Sequence, residues 1–120
     1  MKYVFIILLV LNFLAEVMAA VSLIGGPGGI AAIGSGGQWS MHYGFAVIAI
    51  ASAGLWVWPQ RRERAAVTAV LGILTVFLLS VLVSLALAGD QAVGVVIHTV
   101  VGALSVLCLL QRRAISNAWS

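Results

Sequence analysis

A histidine sits inside an apolar run, Gly94-Val95-Val96-Ile97-His98-Thr99-Val100-Val101-Gly102, with a glycine four residues to either side. On an α-helix all three share one face, and glycines there let another backbone or a flat ligand approach the imidazole. The side chains that could act with His98 from other apolar segments are Asn12, Glu16, His42, Tyr43 and Ser80. Glu16, His42 and His98 together offer one carboxylate and two imidazoles, a donor set that suits zinc, iron or copper. His42 and His98 could instead be the axial pair of a haem. A third chemistry is a quinone or other lipid-soluble molecule hydrogen-bonded by His98, Glu16 and Tyr43, and it suits the flanking glycines better than a metal does. The plain alternative is a neutral glutamic acid hydrogen-bonded to His98 or Asn12, which would hold helices in register and nothing more. No local ligand spacing such as HExxH joins these residues, so only the fold can assemble a site from them.

The elements that must position them follow from composition. Of the 120 residues 63% are apolar and 8% charged, whereas about a quarter of a soluble domain is charged. A hydrocarbon core needs roughly 20 apolar residues per helical crossing, so the chain is long enough for about four. The expectation is all-α: a single transmembrane domain over 1–120, a polytopic four-helix transmembrane bundle with spans at about 3–24, 39–58, 65–88 and 92–110. The first span opens after Lys2 and holds Asn12 and Glu16. A cleaved signal peptide is the competing reading, with Lys2 as its basic start, Val4 to Leu14 as its apolar region and Val17-Met18-Ala19 before the cut. Against cleavage, the apolar run continues past Ala19 to Ile24, and Glu16 stands just before the cut.

Residues 25–38 hold no charge and too much glycine for a helix, and no Lys-Ser or Lys-Thr follows to make a phosphate loop. This stretch reads as a loop. Trp39 at one end of the second span and Trp56 and Trp58 at the other match interfacial aromatic belts, and Pro59 stops the helix. The third span carries Thr68, Gly72, Ser80 and Ser84 on a face suited to packing against neighbours. Cys108 has no partner in the chain and reads as a buried, inert thiol.

With four crossings, Lys2, Arg61, Arg62, Arg64, Arg112 and Arg113 fall on one side. The positive-inside rule makes that side cytoplasmic, so both termini lie on the cytoplasmic side of an inner membrane and the glycine-rich loop faces outward. The net charge of +3 then reports orientation and contact with anionic headgroups in the lipid bilayer, not nucleic-acid binding. At about 1.5 Å per residue, Glu16, Ser80 and His98 all lie about 12 Å below the outer surface, while His42 lies within about 5 Å of it. Asn12 is one turn deeper than Glu16. A depth difference of about 7 Å between the two histidines would have to be absorbed by helix tilt if both were to hold a haem.

Four short spans in 120 residues, Asn12 and Glu16 in the first, His42-Tyr43-Gly44 opening the second and Pro59 closing it resemble the DoxX-like superfamily of small bacterial membrane proteins. The resemblance lies in the layout of the whole chain. It implies a four-helix membrane protein and, because some members are associated with quinone-linked redox complexes, a role as membrane component of an oxidoreductase system. The chain departs from it in having no redox cysteine pair and no arginine in its first span. The other roles considered are a non-catalytic accessory or scaffold subunit of a larger membrane complex and a proton-coupled transporter formed by a homo-oligomer. The inner half offers only Asn12, Thr68 and Thr75 as polar groups for a relay.

Overall fold

In hydrocarbon every backbone N–H and C=O must be satisfied within the protein, which leaves helices as the simplest solution for an apolar chain. The computed structural model describes residues 1–120, and it is all-helical with no strand. Its helices are α1 (Lys2–Gly25), α2 (Trp39–Ala51), α3 (Ala53–Val57), α4 (Arg64–Ala88), α5 (Ala92–Leu110) and α6 (Arg112–Asn117). Four helical stretches are long and apolar enough to cross a membrane: α1, α2 with α3, α4 and α5. The glycine-rich connection is a loop interrupted by one 3-10 turn at Ile30–Ala32.

Two helical hairpins make up the body. α1 packs along α2, α4 packs along α5, and α1 meets α5 to join the pairs. The buried stripe of α1 is Phe5, Leu8, Leu9, Asn12, Glu16 and Ala20, a spacing of three and four that puts all six on one face. Its first turns reach an apolar core shared with Val57, Val67, Leu71, Leu74 and Ile115. On α1 the polar members of the stripe, Asn12 and Glu16, lie farther from the terminus than this core.

The second span differs from the expected single helix over 39–58. At Ser52 the ladder breaks: Leu55 N–H bonds to Ser52 O at 2.9 Å, a three-residue step, and Ser52 Oγ donates to Ala49 O at 2.8 Å. A side chain that offers the backbone a competing hydrogen bond accounts for the interruption. The chain also does not stop after the fourth span. Gln111 leaves the helical path, and α6 follows with Ile115 fully buried in the core, because an apolar side chain at that end gains by leaving the interface.

The face of α4 that enters the bundle is Val67, Leu71, Leu74, Thr75 and Leu78. Thr68, Gly72, Ser80 and Ser84 lie off this stripe: Ser80 and Ser84 are exposed, and the Thr68 hydroxyl bonds back to Arg64 O at 2.7 Å. The small-residue face suited to packing against neighbours therefore looks outward from the bundle. At the end of α4, Gly89 closes the helix with φ +77, and its N–H bonds to Leu85 O at 3.2 Å; the left-handed conformation favours glycine there.

The tightest approach between α1 and α2 is at Gly44, where an added Cβ would stand 2.7 Å from Ile24 Cγ1, 3.1 Å from Leu23 Cβ and 3.2 Å from Ala20 O. Gly72 has open space around it. Gly44→Val is expected to destabilise the bundle by about 1–3 kcal/mol through overpacking, whereas Gly72→Ala leaves stability unchanged or slightly raised. Thermal unfolding followed by circular dichroism in mild detergent separates the two, and equal midpoints would show that α1 and α2 do not pack at Gly44.

Candidate functional site

Glu16 on α1 and His98 on α5 face each other where the two hairpins meet. His98 Nε2 lies 3.5 Å from Glu16 Oε1, the only ion-pair contact within 4 Å in the molecule. The glutamate side chain is 2% exposed and the imidazole 11%. On its other edge the imidazole Nδ1 stands 2.9 Å from Gly94 O, one turn back along α5. A carbonyl can only accept, so Nδ1 carries a hydrogen, and Nε2 is the nitrogen turned to the carboxyl. Nε2 and Oε1 are thus in electrostatic contact. A pair holding one proton there would be either imidazole with carboxylic acid or imidazolium with carboxylate, and neither form would carry net charge. Such neutrality would let two ionisable groups sit within apolar spans.

Of the two approaches that the glycines beside His98 allow, another helix or a flat ligand, the structure shows the helix. A Cβ on Gly94 would lie 3.1 Å from Leu85 Cδ1, and one on Gly102 would lie 3.5 Å from Leu79 Cδ2. Leucines of α4 occupy the space that a flat ligand would take. Gly94 serves the site through its backbone, whose carbonyl fixes the His98 tautomer.

Asn12, one turn nearer the termini than Glu16, links α1 to α2. Its Nδ2 donates to Ile50 O at 3.0 Å, just before the break at Ser52, and its Oδ1 is buried without a partner. The fold therefore gathers Asn12, Glu16 and His98 at the junction of α1, α2 and α5. Tyr43 is 41% exposed on α2, within electrostatic range of the Glu16 carboxyl. It flanks the site.

His42 and Ser80 stand apart. His42 is exposed on α2 and sits edge-on to Trp39, with ring centroids 6.0 Å apart. Ser80 is on the exposed side of α4. Both follow from helical phase, since each is out of register with the buried stripe of its helix. Nowhere do three His, Cys, Asp or Glu side chains converge as a metal would require, so Glu16, His42 and His98 do not form the expected triad. Nor do the two histidines face each other as axial ligands. Neither metal nor haem fits this donor arrangement. Cys108 is fully buried and has no disulfide partner.

One buried polar pair escaped the sequence reading. Thr75 on α4 and Ser105 on α5 share a hydrogen bond of 2.8 Å with their hydroxyls inside the bundle. Ser105 follows His98 by seven residues and so lies on the same face of α5, which is the signal that could have found it. Beside Glu16, an apolar cleft of about 500 Å³ runs between α1 and α2, lined by Val17, Ala20, Val21, Ile24, Gly25 and Ile48. Its lining starts at Val17, the residue after Glu16, while the Glu16 and His98 side chains are not part of it.

A buried pair of ionisable groups in contact is expected to be strongly non-additive. Removing one partner strands the other in an apolar junction, which can cost about 3–5 kcal/mol, while removing both costs less than the two single losses together. A double-mutant cycle on Glu16→Ala and His98→Ala, measured as unfolding free energy in detergent, tests this, and simple additivity would mean that the two side chains do not interact. Compared with protein-family models, curated proteins and solved structures, the chain has no significant match, so this site is read from its own geometry.

Proposed function

We propose that this chain is a small multi-pass protein of a bacterial inner membrane that binds a quinone or similar hydrogen-bonding, lipid-soluble ligand at Glu16 and His98, and that it serves as a membrane component of an oxidoreductase system. The observation that carries the reading is the Glu16–His98 couple, buried at 3.5 Å, with its tautomer held by Gly94 O and an apolar cleft lined by α1 from Val17 onward. Ligand pockets of this kind pair a mostly apolar lining with a few oriented polar groups. A quinone supplies carbonyl acceptors and the capacity to take up electrons and protons. The chain's own residues do the rest. His98 and Glu16 hold a proton at Nε2 or Oε1 for an incoming carbonyl, Asn12 Oδ1 offers a spare acceptor beside them, and the cleft receives an apolar tail.

The basic residues support the orientation. Lys2, Arg61 and Trp119 meet at one end of the bundle, and Arg64, Arg112 and Arg113 border one groove at the chain's basic end. By the positive-inside rule that end, with both termini, is cytoplasmic. A second reading is favoured by the outward face of α4. Ala65, Ala69, Ser80 and Ser84 are exposed there, and Gly72 beside them has open space, a surface of small residues that suits close approach of another helix. On that reading the chain is an accessory subunit of a larger membrane complex or a homo-oligomer.

Decylubiquinone binding to the purified protein in mild detergent tests the first reading. The wild type is expected to bind, and Glu16→Gln and His98→Ala to bind at least about tenfold more weakly, a change of about 1.4 kcal/mol. Both variants should keep their helical content. Wild-type affinity in the two folded variants would overturn the assignment. Loss of self-association or of co-purifying protein on Ala69→Leu, with quinone binding absent throughout, would establish the second reading instead.

A further inference from the structure

A second cluster lies at the end of the bundle that holds the termini. Trp58 and Trp119 meet edge to face, with centroids 5.3 Å apart at 79°. The Arg61 guanidinium lies 4.7 Å from the Trp58 ring and 5.0 Å from the Trp119 ring, and Lys2 Nζ is 4.4 Å from the Trp119 ring. Arg61 Nη1 donates to Trp58 O at 2.8 Å. Two further donors of the cluster, Arg61 Nε and Trp119 Nε1, are buried and have no partner. Neither cation has a carboxylate within 4 Å, since the one ion pair of the molecule is Glu16 with His98.

Trp58 is also a wall of an apolar cleft on the α1 and α3 surface. This cleft, of about 410 Å³, runs between Ile6, Val10 and Phe13 of α1 and Leu55, Trp58 and Pro59 at the end of the second span. Lys2 precedes Ile6 by one helical turn and so stands at the cleft's terminal end, on the same face of α1. The two features are thus continuous, two cations and two unpartnered donors at the interface leading into an apolar slot that opens on hydrocarbon.

We propose that this is a binding site for one anionic phospholipid of the leaflet at the termini end. Its phosphate is held between Lys2 and Arg61, and one acyl chain lies in the cleft along Trp58. The chemistry selects this occupant. Every free group of the cluster is a donor or a cation, which calls for an acceptor-only, negatively charged group, and a guanidinium fork matches phosphate oxygens. A soluble phosphate would leave the apolar slot unused, and a zwitterionic lipid would bring a cation against Lys2 and Arg61. Indole rings at the headgroup level, with basic residues beside them, are where anionic lipids are met.

Native mass spectrometry of the full chain in mild detergent, with phosphatidylglycerol and phosphatidylcholine of the same acyl chains, is the test. The wild type is expected to retain one phosphatidylglycerol at activation that strips phosphatidylcholine, with at least a tenfold preference. Lys2→Gln and Arg61→Gln each remove that preference, and Val10→Trp, which fills the cleft from an exposed position, lowers retention of both lipids. Lys2 precedes the packed stripe of α1, so Lys2→Gln carries the test if Arg61→Gln fails to fold. Equal retention of the two lipids by the wild type, or a wild-type preference in Lys2→Gln, overturns the proposal. So does displacement of phosphatidylglycerol by inorganic phosphate together with unchanged retention in Val10→Trp, which would make this a phosphate site without an acyl chain.

Discussion

The burial of one carboxyl group constrains most of this bundle. Glu16 is the only acidic residue within a spanning segment, since Glu63 and Asp90 lie in the connections. An ionisable group facing lipid costs about 2.5–3.5 kcal/mol on insertion scales, so α1 must turn Glu16 inward. Once it does, the phase of the whole helix is set: Asn12 falls beneath it toward α2, and Phe5 and Leu8 fall into the apolar core. His98 meets the carboxyl from α5 and joins two hairpins that otherwise pack mostly within themselves. Hydrogen bonds between membrane helices are worth about 0.6 kcal/mol on average, so the couple acts chiefly by removing a penalty and choosing a register.

How far such a chain can be read in advance depends on what faces what. The four helices long and apolar enough to cross a membrane, the loop after α1 and the approach of Glu16 to His98 were legible, because length and the rarity of polar groups in apolar segments carry strong free-energy consequences. Helical phase was much less so. In water an apolar stripe marks the buried face, but in lipid both faces are apolar and the stripe loses its meaning. The outward turn of Thr68, Ser80 and Ser84 on α4 follows from that ambiguity, as does the exposure of His42. The break at Ser52 depends on one hydroxyl competing for Ala49 O, and the docking of α6 on Ile115 reaching the core, neither of which has a distinctive spacing.

The glycines around His98 show how one signal supports two physical outcomes. Small residues at i−4 and i+4 permit close approach, and the sequence alone does not say what approaches. Here Leu85 and Leu79 of α4 do, which brings α4 and α5 together and leaves the imidazole to make its contacts toward α1. Packing thereby aims the side chain. The Thr75–Ser105 hydrogen bond farther along the same helix pair reinforces this arrangement, so α5 is held from one side by leucines and a hydroxyl pair and presents its histidine on the other.

A buried pair that held one proton between its two members could serve register and ligand binding together. Moving such a proton between Oε1 and Nε2 would change neither the net charge of the site nor the hydrogen bond from Nδ1 to Gly94 O, so the helices would not need to move. A charged ligand entering there would meet the full desolvation penalty of a low-dielectric junction. A neutral ligand with a carbonyl acceptor would not, and it would find a donor already oriented by the backbone. The unpartnered Asn12 Oδ1 extends the argument. A buried acceptor without a donor is a liability in a bundle that needs only to stay folded, and it becomes an asset when a hydroxyl or a water arrives beside Glu16. On the proposed reading, the same residues that fix the register would thereby favour uncharged, hydrogen-bonding, lipid-soluble molecules over ions.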